Sequence, residues 1–107
     1  MLEKEIFIYK TAQGKEPFVE WLFSLRDRII RHRIEARIER IRHGNYGDHK
    51  RFLGILELRL DIGKGYRVYC GDDGNKIVLL LVGGDKASQD KDIKLAVEYW
   101  KNYCEKK

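Results

Sequence analysis

Phe52-Leu53-Gly54-Ile55-Leu56-Glu57-Leu58-Arg59-Leu60-Asp61-Ile62 is the stretch that decides the fold. Leu56, Leu58, Leu60 and Ile62 alternate with Ile55, Glu57, Arg59 and Asp61, which is the period of a strand with one buried and one polar face. Downstream, Gly63-Lys64-Gly65 reads as a turn and Tyr66 to Cys70 as a second strand, with Arg67 and Tyr69 facing away from Val68. Asp72-Asp73-Gly74-Asn75 is a hairpin signal, because these residues tolerate positive φ. Lys76 to Val82 is the most apolar strand and is expected at the centre of the sheet, followed by a loop over Gly83-Gly84-Asp85-Lys86-Ala87.

Upstream of residue 50 the period is helical. Ile30, Ile34, Ile38 and Ile41 stripe a helix from about Arg28 to His43, and Gly44 supplies its stop. Before it, Pro17 suits a first helical turn, and Phe18, Trp21, Leu22 and Leu25 share one face. With so little linker, the two helices are expected to form an antiparallel hairpin. Glu5 to Tyr9 reads as a first strand and 11–15 as a loop. At the other end Ser88 can cap a last helix, with Asp90 and Asp92 in its first turn favoured by the helix dipole. Ile93, Ala96, Val97, Trp100 and Cys104 fall on the buried side of that helix. The order β-α-α-β-β-β-α implies an α+β fold. An N-terminal strand and a helical hairpin would pack on a twisted antiparallel sheet of four strands, with the C-terminal helix at one edge.

The chain has 107 residues, short enough for the single domain 1–107, and 43% of them are hydrophobic, enough to exclude a wholly disordered chain. The longest apolar run, Ile77 to Val82, is far short of a membrane span, so no membrane partner is expected. Met1 to Glu5 does not open like a signal peptide, which points to the cytoplasm. Cys70 and Cys104 make neither a disulfide framework nor a metal pattern, and both read as reduced packing residues. The net charge of +5 comes from residues 26–67, and such a surplus favours polyanions. Seven arginines lie in 26–43, and with Glu35 and Glu39 among them the run reads equally as a solvated helix face or a nucleic-acid contact.

No phosphate-binding glycine loop is present, and His32, His43 and His49 lack metal-ligand spacing, so neither cofactor nor metal is expected. They fall in the basic helix or the loop after it and read as solvated residues. The informative set is Glu57, Arg59 and Arg67 on the polar side of two successive strands, with Lys86 past the end of the apolar strand. Pattern alone leaves two readings open. One is a solvent-facing sheet surface with ion pairs of little energy. The other is a basic face that clamps a phosphodiester and stabilises charge developing on it.

The ordered set Glu57-Leu58-Arg59-Leu60-Asp61, Gly65-Tyr66-Arg67-Val68-Tyr69, Lys76-Ile77-Val78-Leu79-Leu80 and Gly84-Asp85-Lys86 resembles the RelE/HigB toxin superfamily. The opening Gly14-Lys15-Glu16-Pro17-Phe18 and the segment from Gly83 to Ile93 are similar to its "addiction module killer", phage-derived branch. The resemblance implies a RelE-like fold and a ribosome-dependent endoribonuclease that cuts messenger RNA without a metal and is silenced by a cognate antitoxin. It further implies that Arg67 contacts the scissile phosphate, with Arg59 and Lys86 in the same patch. Glu57, where some relatives have lysine, is the fourth candidate catalytic residue. Lys50, Arg51 and Lys64 are the expected additional RNA contacts. The aromatic or histidine residue that serves several relatives near the C-terminus is not evident; Asp92 lies about there. Two alternatives share the residues: a ParE-like toxin that poisons gyrase without nuclease activity, and a non-catalytic RNA-binding or regulatory module.

Overall fold

A computed structural model describes residues 3–106. The elements run β1 (Glu5–Ile8), α1 (Pro17–Ser24), α2 (Arg28–Arg42), β2 (His49–Phe52), β3 (Ile55–Leu60), β4 (Tyr66–Asp72), β5 (Ile77–Gly84) and α3 (Gln89–Glu105), with a 3-10 turn at Lys86–Ser88 before the last helix. The class is α+β, and its one sheet has five strands in the order β1-β5-β4-β3-β2.

That sheet is mixed, which corrects the expectation of four antiparallel strands. β2 to β5 are antiparallel neighbours, whereas β1 joins β5 in parallel, with Glu5 opposite Ile77 and Ile8 opposite Leu80. The extra strand, β2, was hidden in a polar run, His49-Lys50-Arg51-Phe52, that carries no apolar alternation. It holds His49, so this residue lies in a strand and not in a loop, and it reaches β3 through a tight turn in which Leu53 and Gly54 both take positive φ. β5 extends through Gly83 and Gly84, the residues expected to open a loop, and lies second in the sheet; β4 is the middle strand.

Both faces of the sheet are covered. On the first, Phe18 and Leu22 of α1 and Ile34, Ile38 and Ile41 of α2 pack on Leu56, Leu58, Leu60, Val68, Cys70, Val78 and Leu80. On the second, Ala96 of α3, with Ile93, Val97 and Trp100, packs on Ile55, Tyr69, Leu79 and Leu81. The last helix therefore lies across a face and not along an edge. The reason is in β5, whose unbroken apolar run demands burial on both sides. A bulge opposite Tyr69 and Cys70 skips Leu81, so Leu81 and Val82 both join the second cluster.

Two glycines admit two tryptophans. A Cβ on Gly83 would lie 2.2 Å from Trp21 of α1, and one on Gly71 would lie 1.9 Å from Trp100 of α3. α2 starts where Asp27 accepts from the amides of Ile29 and Ile30, and it ends at Gly44, whose φ of 85° makes the stop. Arg37, one of the seven arginines, is turned inward instead of onto a solvated face. It donates from Nε to Tyr46 O at 3.1 Å, from Nη1 to Arg59 O at 2.7 Å, and from Nη2 to Tyr46 O and Asp48 O.

Cys70 is buried and its thiol is pushed up by desolvation, as suits a packing residue. Cys104, expected on the buried side of α3, is exposed.

Candidate functional site

Strand register assembles the site. Arg59 of β3 stands directly opposite Arg67 of β4, and Glu57 stands opposite Tyr69, so all four project from the second face of the sheet. Side chains directly opposite in this way have Cβ atoms roughly 5 Å apart. α3 begins above them. Its first residue, Gln89, donates from Nε2 to Glu57 Oε2 at 2.9 Å.

Glu57 is therefore not on an open polar surface. It is 1% exposed, closed over by α3. Arg59 Nε lies 3.3 Å from its Oε1 and Arg67 Nε lies 4.0 Å from its Oε2. A buried carboxylate is tolerable only when paired and hydrogen-bonded, and here two guanidiniums and an amide supply that. Both Nε atoms are buried and form ion pairs without a hydrogen bond. The arginine side chains keep 36% and 14% of their surface exposed, and among the described residues their terminal nitrogens make no hydrogen bond. Each Nε faces the carboxylate as an ion pair, and Arg59 is the more exposed of the two guanidiniums toward an incoming anion.

Tyr69 lies beneath this group with its hydroxyl fully enclosed and making no aligned hydrogen bond. Burial first, then the nearby carboxylates of Glu57 and Asp92, push its pKa up, so it holds its proton. Asp92 comes from the first turn of α3. It is 5% exposed, accepts from the Ser88 hydroxyl, and fits only because Gly84 has no side chain, since a Cβ there would lie 1.8 Å from Asp92 Oδ2. Burial raises the Asp92 pKa, Ser88 and Lys91 offset this in part, and Asp85 adds to it. Ser88 thus spends its hydroxyl on Asp92 and does not cap the helix; Asp85 caps the preceding turn by accepting from Ala87 and Ser88.

The remaining expected site residues divide. Lys86 and Lys64 meet beside the β3–β4 turn, where Lys86 N donates to Lys64 O at 3.4 Å and both side chains are exposed. They flank Arg67 but do not touch Glu57. Lys50 of β2 stands opposite Glu57 and so shares the site's face, with its Nζ 5.4 Å from the centre of the Phe52 ring. Arg51 does not join the site. It projects to the other side of β2, where it pairs with Asp72 at 3.3 Å and lies over the Tyr46 ring. Alternation along a strand forbids Lys50 and Arg51 from serving one face.

Gln89 and Tyr69 join the site in addition to the residues expected there. Tyr69 carries a signal, since it alternates with Arg67 in facing; Gln89 carries none. Among the described residues no group of His, Cys, Asp and Glu is arranged to hold a metal, and no helix is long and apolar enough to cross a membrane.

Fold and site together define a small α+β protein that presents two arginines on a buried glutamate. The chain belongs to the same family as an uncharacterized protein of Haemophilus influenzae, to which it is 50% identical over 80 residues, 74% of this chain and 81% of that one. Neither a family model nor a solved structure matches the chain.

Proposed function

We propose that the chain is a RelE/HigB-type toxin of a toxin–antitoxin pair, with a RelE-like fold, acting in the cytoplasm as a ribosome-dependent messenger RNA endoribonuclease. The observation that carries this reading is the pairing of Arg59 and Arg67 over the buried Glu57, with the Arg59 side chain 36% and the Arg67 side chain 14% exposed. In the reaction, the RNA 2′-hydroxyl loses its proton and attacks the adjacent phosphorus. The bond to the 5′-oxygen breaks, leaving a 2′,3′-cyclic phosphate and a 5′-hydroxyl that takes up a proton. Negative charge builds on the non-bridging oxygens, where Arg67 and Arg59 donate, with Lys86 and Lys64 adding field from the rim. The RNA supplies its own nucleophile, so positioning and charge stabilisation can provide most of the effect. The cognate antitoxin is an acidic or amphipathic segment that neutralises the positive surface between residues 26 and 67.

Primer extension on translated messenger RNA tests the reading. Codon-linked cuts are expected with the native chain and not with Arg67→Ala, and losing one such donor costs about a hundredfold in rate. Arg67 is one of the two guanidiniums that pair the buried Glu57, so Arg67→Ala is expected to lower the melting temperature, and the folded control is Arg67→Lys, which keeps the charge and loses the fork. Full activity in Arg67→Ala overturns the assignment of Arg67. Inhibition of DNA supercoiling without RNA cuts would instead favour a ParE-like gyrase poison.

A further inference from the structure

The face that carries Arg67 and Arg59 does not end at β3. Lys50 stands opposite Glu57, two residues along from Arg59, so it is the diagonal neighbour of Arg59 on the same side of the sheet. Such diagonal neighbours stand roughly 7–8 Å apart. The cations therefore form a line across three strands: Arg67 on β4, Arg59 on β3, Lys50 on the edge strand β2. Glu57 lies within the line but buried, already committed to the two arginines and Gln89. The Lys50 ammonium makes no ion pair among the described residues and rests over the half-buried Phe52 ring at 5.4 Å.

We infer that this line is a track for an extended single strand of RNA: the arginine pair takes one phosphate, Lys50 takes a neighbouring phosphate, and Phe52 takes a base. The inference rests on the RNA-cleaving reading of the same site and adds the class of substrate conformation it accepts. Three features support it. A lone phosphate would need only the arginine pair, whereas Lys50 is a separate charge on a separate strand. A lysine parked on an aromatic ring loses little on moving to a phosphate, since an exposed cation–aromatic contact is weak. When it moves, the ring face it leaves is a stacking surface, and bases stack on aromatic side chains with little regard to sequence. Arg51, next in the chain and equally basic, is excluded by facing the other way onto Asp72.

The test is fluorescence anisotropy with a short, labelled single strand fully 2′-O-methylated so that it cannot be cut, alongside calorimetry with inorganic phosphate. Lys50→Ala is expected to weaken strand binding severalfold and to lower the slope of log affinity against log salt by about 0.7, the share of one phosphate on a single strand. It should leave phosphate binding unchanged. Phe52→Leu is expected to weaken the strand about tenfold with no change in slope. Arg51→Ala should change neither slope nor phosphate binding. Melting temperatures of all three report whether each variant is folded, and Lys50→Arg should restore the slope. The track is overturned if Lys50→Ala leaves the slope unaltered, if it impairs phosphate as much as the strand, or if a duplex of the same sequence binds more tightly. Codon-linked cutting that ignores Lys50 and Phe52 would sink the track and leave the nuclease reading standing. A native chain that neither binds the strand nor cuts would sink both.

Discussion

Replacing Arg37 by methionine would remove the guanidinium donors from three carbonyl oxygens, those of Tyr46, Asp48 and Arg59, of which Asp48 O keeps the Arg59 amide. Two lie in the loop after α2 and the third in β3 at the residue that carries a site guanidinium. Leaving the part-buried Tyr46 and Arg59 acceptors without the guanidinium is expected to cost about 2 kcal/mol, and thermal melting should fall by roughly 10 °C. Arg37→Lys should not rescue it, because an ammonium cannot reach three carbonyls with a planar fork. This role was partly legible. Ile34, Arg37, Ile38 and Ile41 fall at i, i+3, i+4 and i+7, so one arginine of the seven sits on the apolar stripe. Charge counting hid it, since composition does not say which way a residue points. Two aspartates make an opposite pair in pH. Burial would raise Asp72, but the Gly74 amide, the Tyr46 hydroxyl, Lys4 and Arg51 outweigh it and hold its carboxyl below the ordinary range. Its contribution is present above the unfolded value, about 3.9, and is lost as pH falls through the lower folded value. Asp92 is raised, so whatever stability its carboxyl adds is present below the unfolded pKa and lost as pH rises through the folded one. Urea titrations across pH should therefore show Asp72→Asn flattening the acid limb, and Asp92→Asn at least as stable as the native chain at pH 7. A loss of stability at pH 7 for the second variant would mean that the charged form of Asp92 is the one the fold favours.

At the scale of elements, α3 shows what the strand pattern could and could not reveal. The alternation of β3 correctly separates Leu56, Leu58 and Leu60 from Glu57 and Arg59. The polar side was read as open because two of its three residues in β3 are charged. Yet the same side in β4 and β5 holds Tyr69, Leu79 and Leu81, and a sheet face this apolar needs a cover. Its cover is a helix that enters closely enough for Trp100 to occupy the space over Gly71. Gly71→Ala and Gly83→Ala each force a methyl into an indole ring, and each is expected to destabilise by about 1–3 kcal/mol. They should be separable. Gly71→Ala loosens α3, so tryptophan emission from Trp100 and amide exchange in Gln89–Glu105 should respond first. Gly83→Ala should be felt at Trp21 and in Pro17–Ser24. Equal, global exchange changes from both would mean that the two helices unfold with the sheet as one unit. A single sequence hides such pairings, because a glycine in a strand looks the same whether it marks a bend, a bulge or a seat for a ring.

For the whole molecule, the parallel pairing of β1 with β5 is the feature least visible in the sequence. Local pattern identifies Glu5–Ile8 as a strand, but nothing in four residues says which neighbour it takes or in which direction. Adjacent hairpins explain β2 through β5, and the first strand is left to join the far side of the last one. Refolding from denaturant is therefore expected to be slower than for helical proteins of this length, because that pairing closes most of the chain as a loop. Stopped-flow refolding in the microsecond range would contradict this. The order of synthesis carries the same constraint into the cell. A ribosome making this chain releases β1 while its partner, about seventy residues later, has yet to be translated. For that interval Phe7 and Ile8 travel as an unpaired apolar segment beside α1 and α2, which have no sheet to lie on. Arrested nascent chains that stop short of Ile77 should accordingly be cut by protease throughout. Those extended past α3 should become resistant in one step, so the cationic site is not assembled until α3 has left the ribosome.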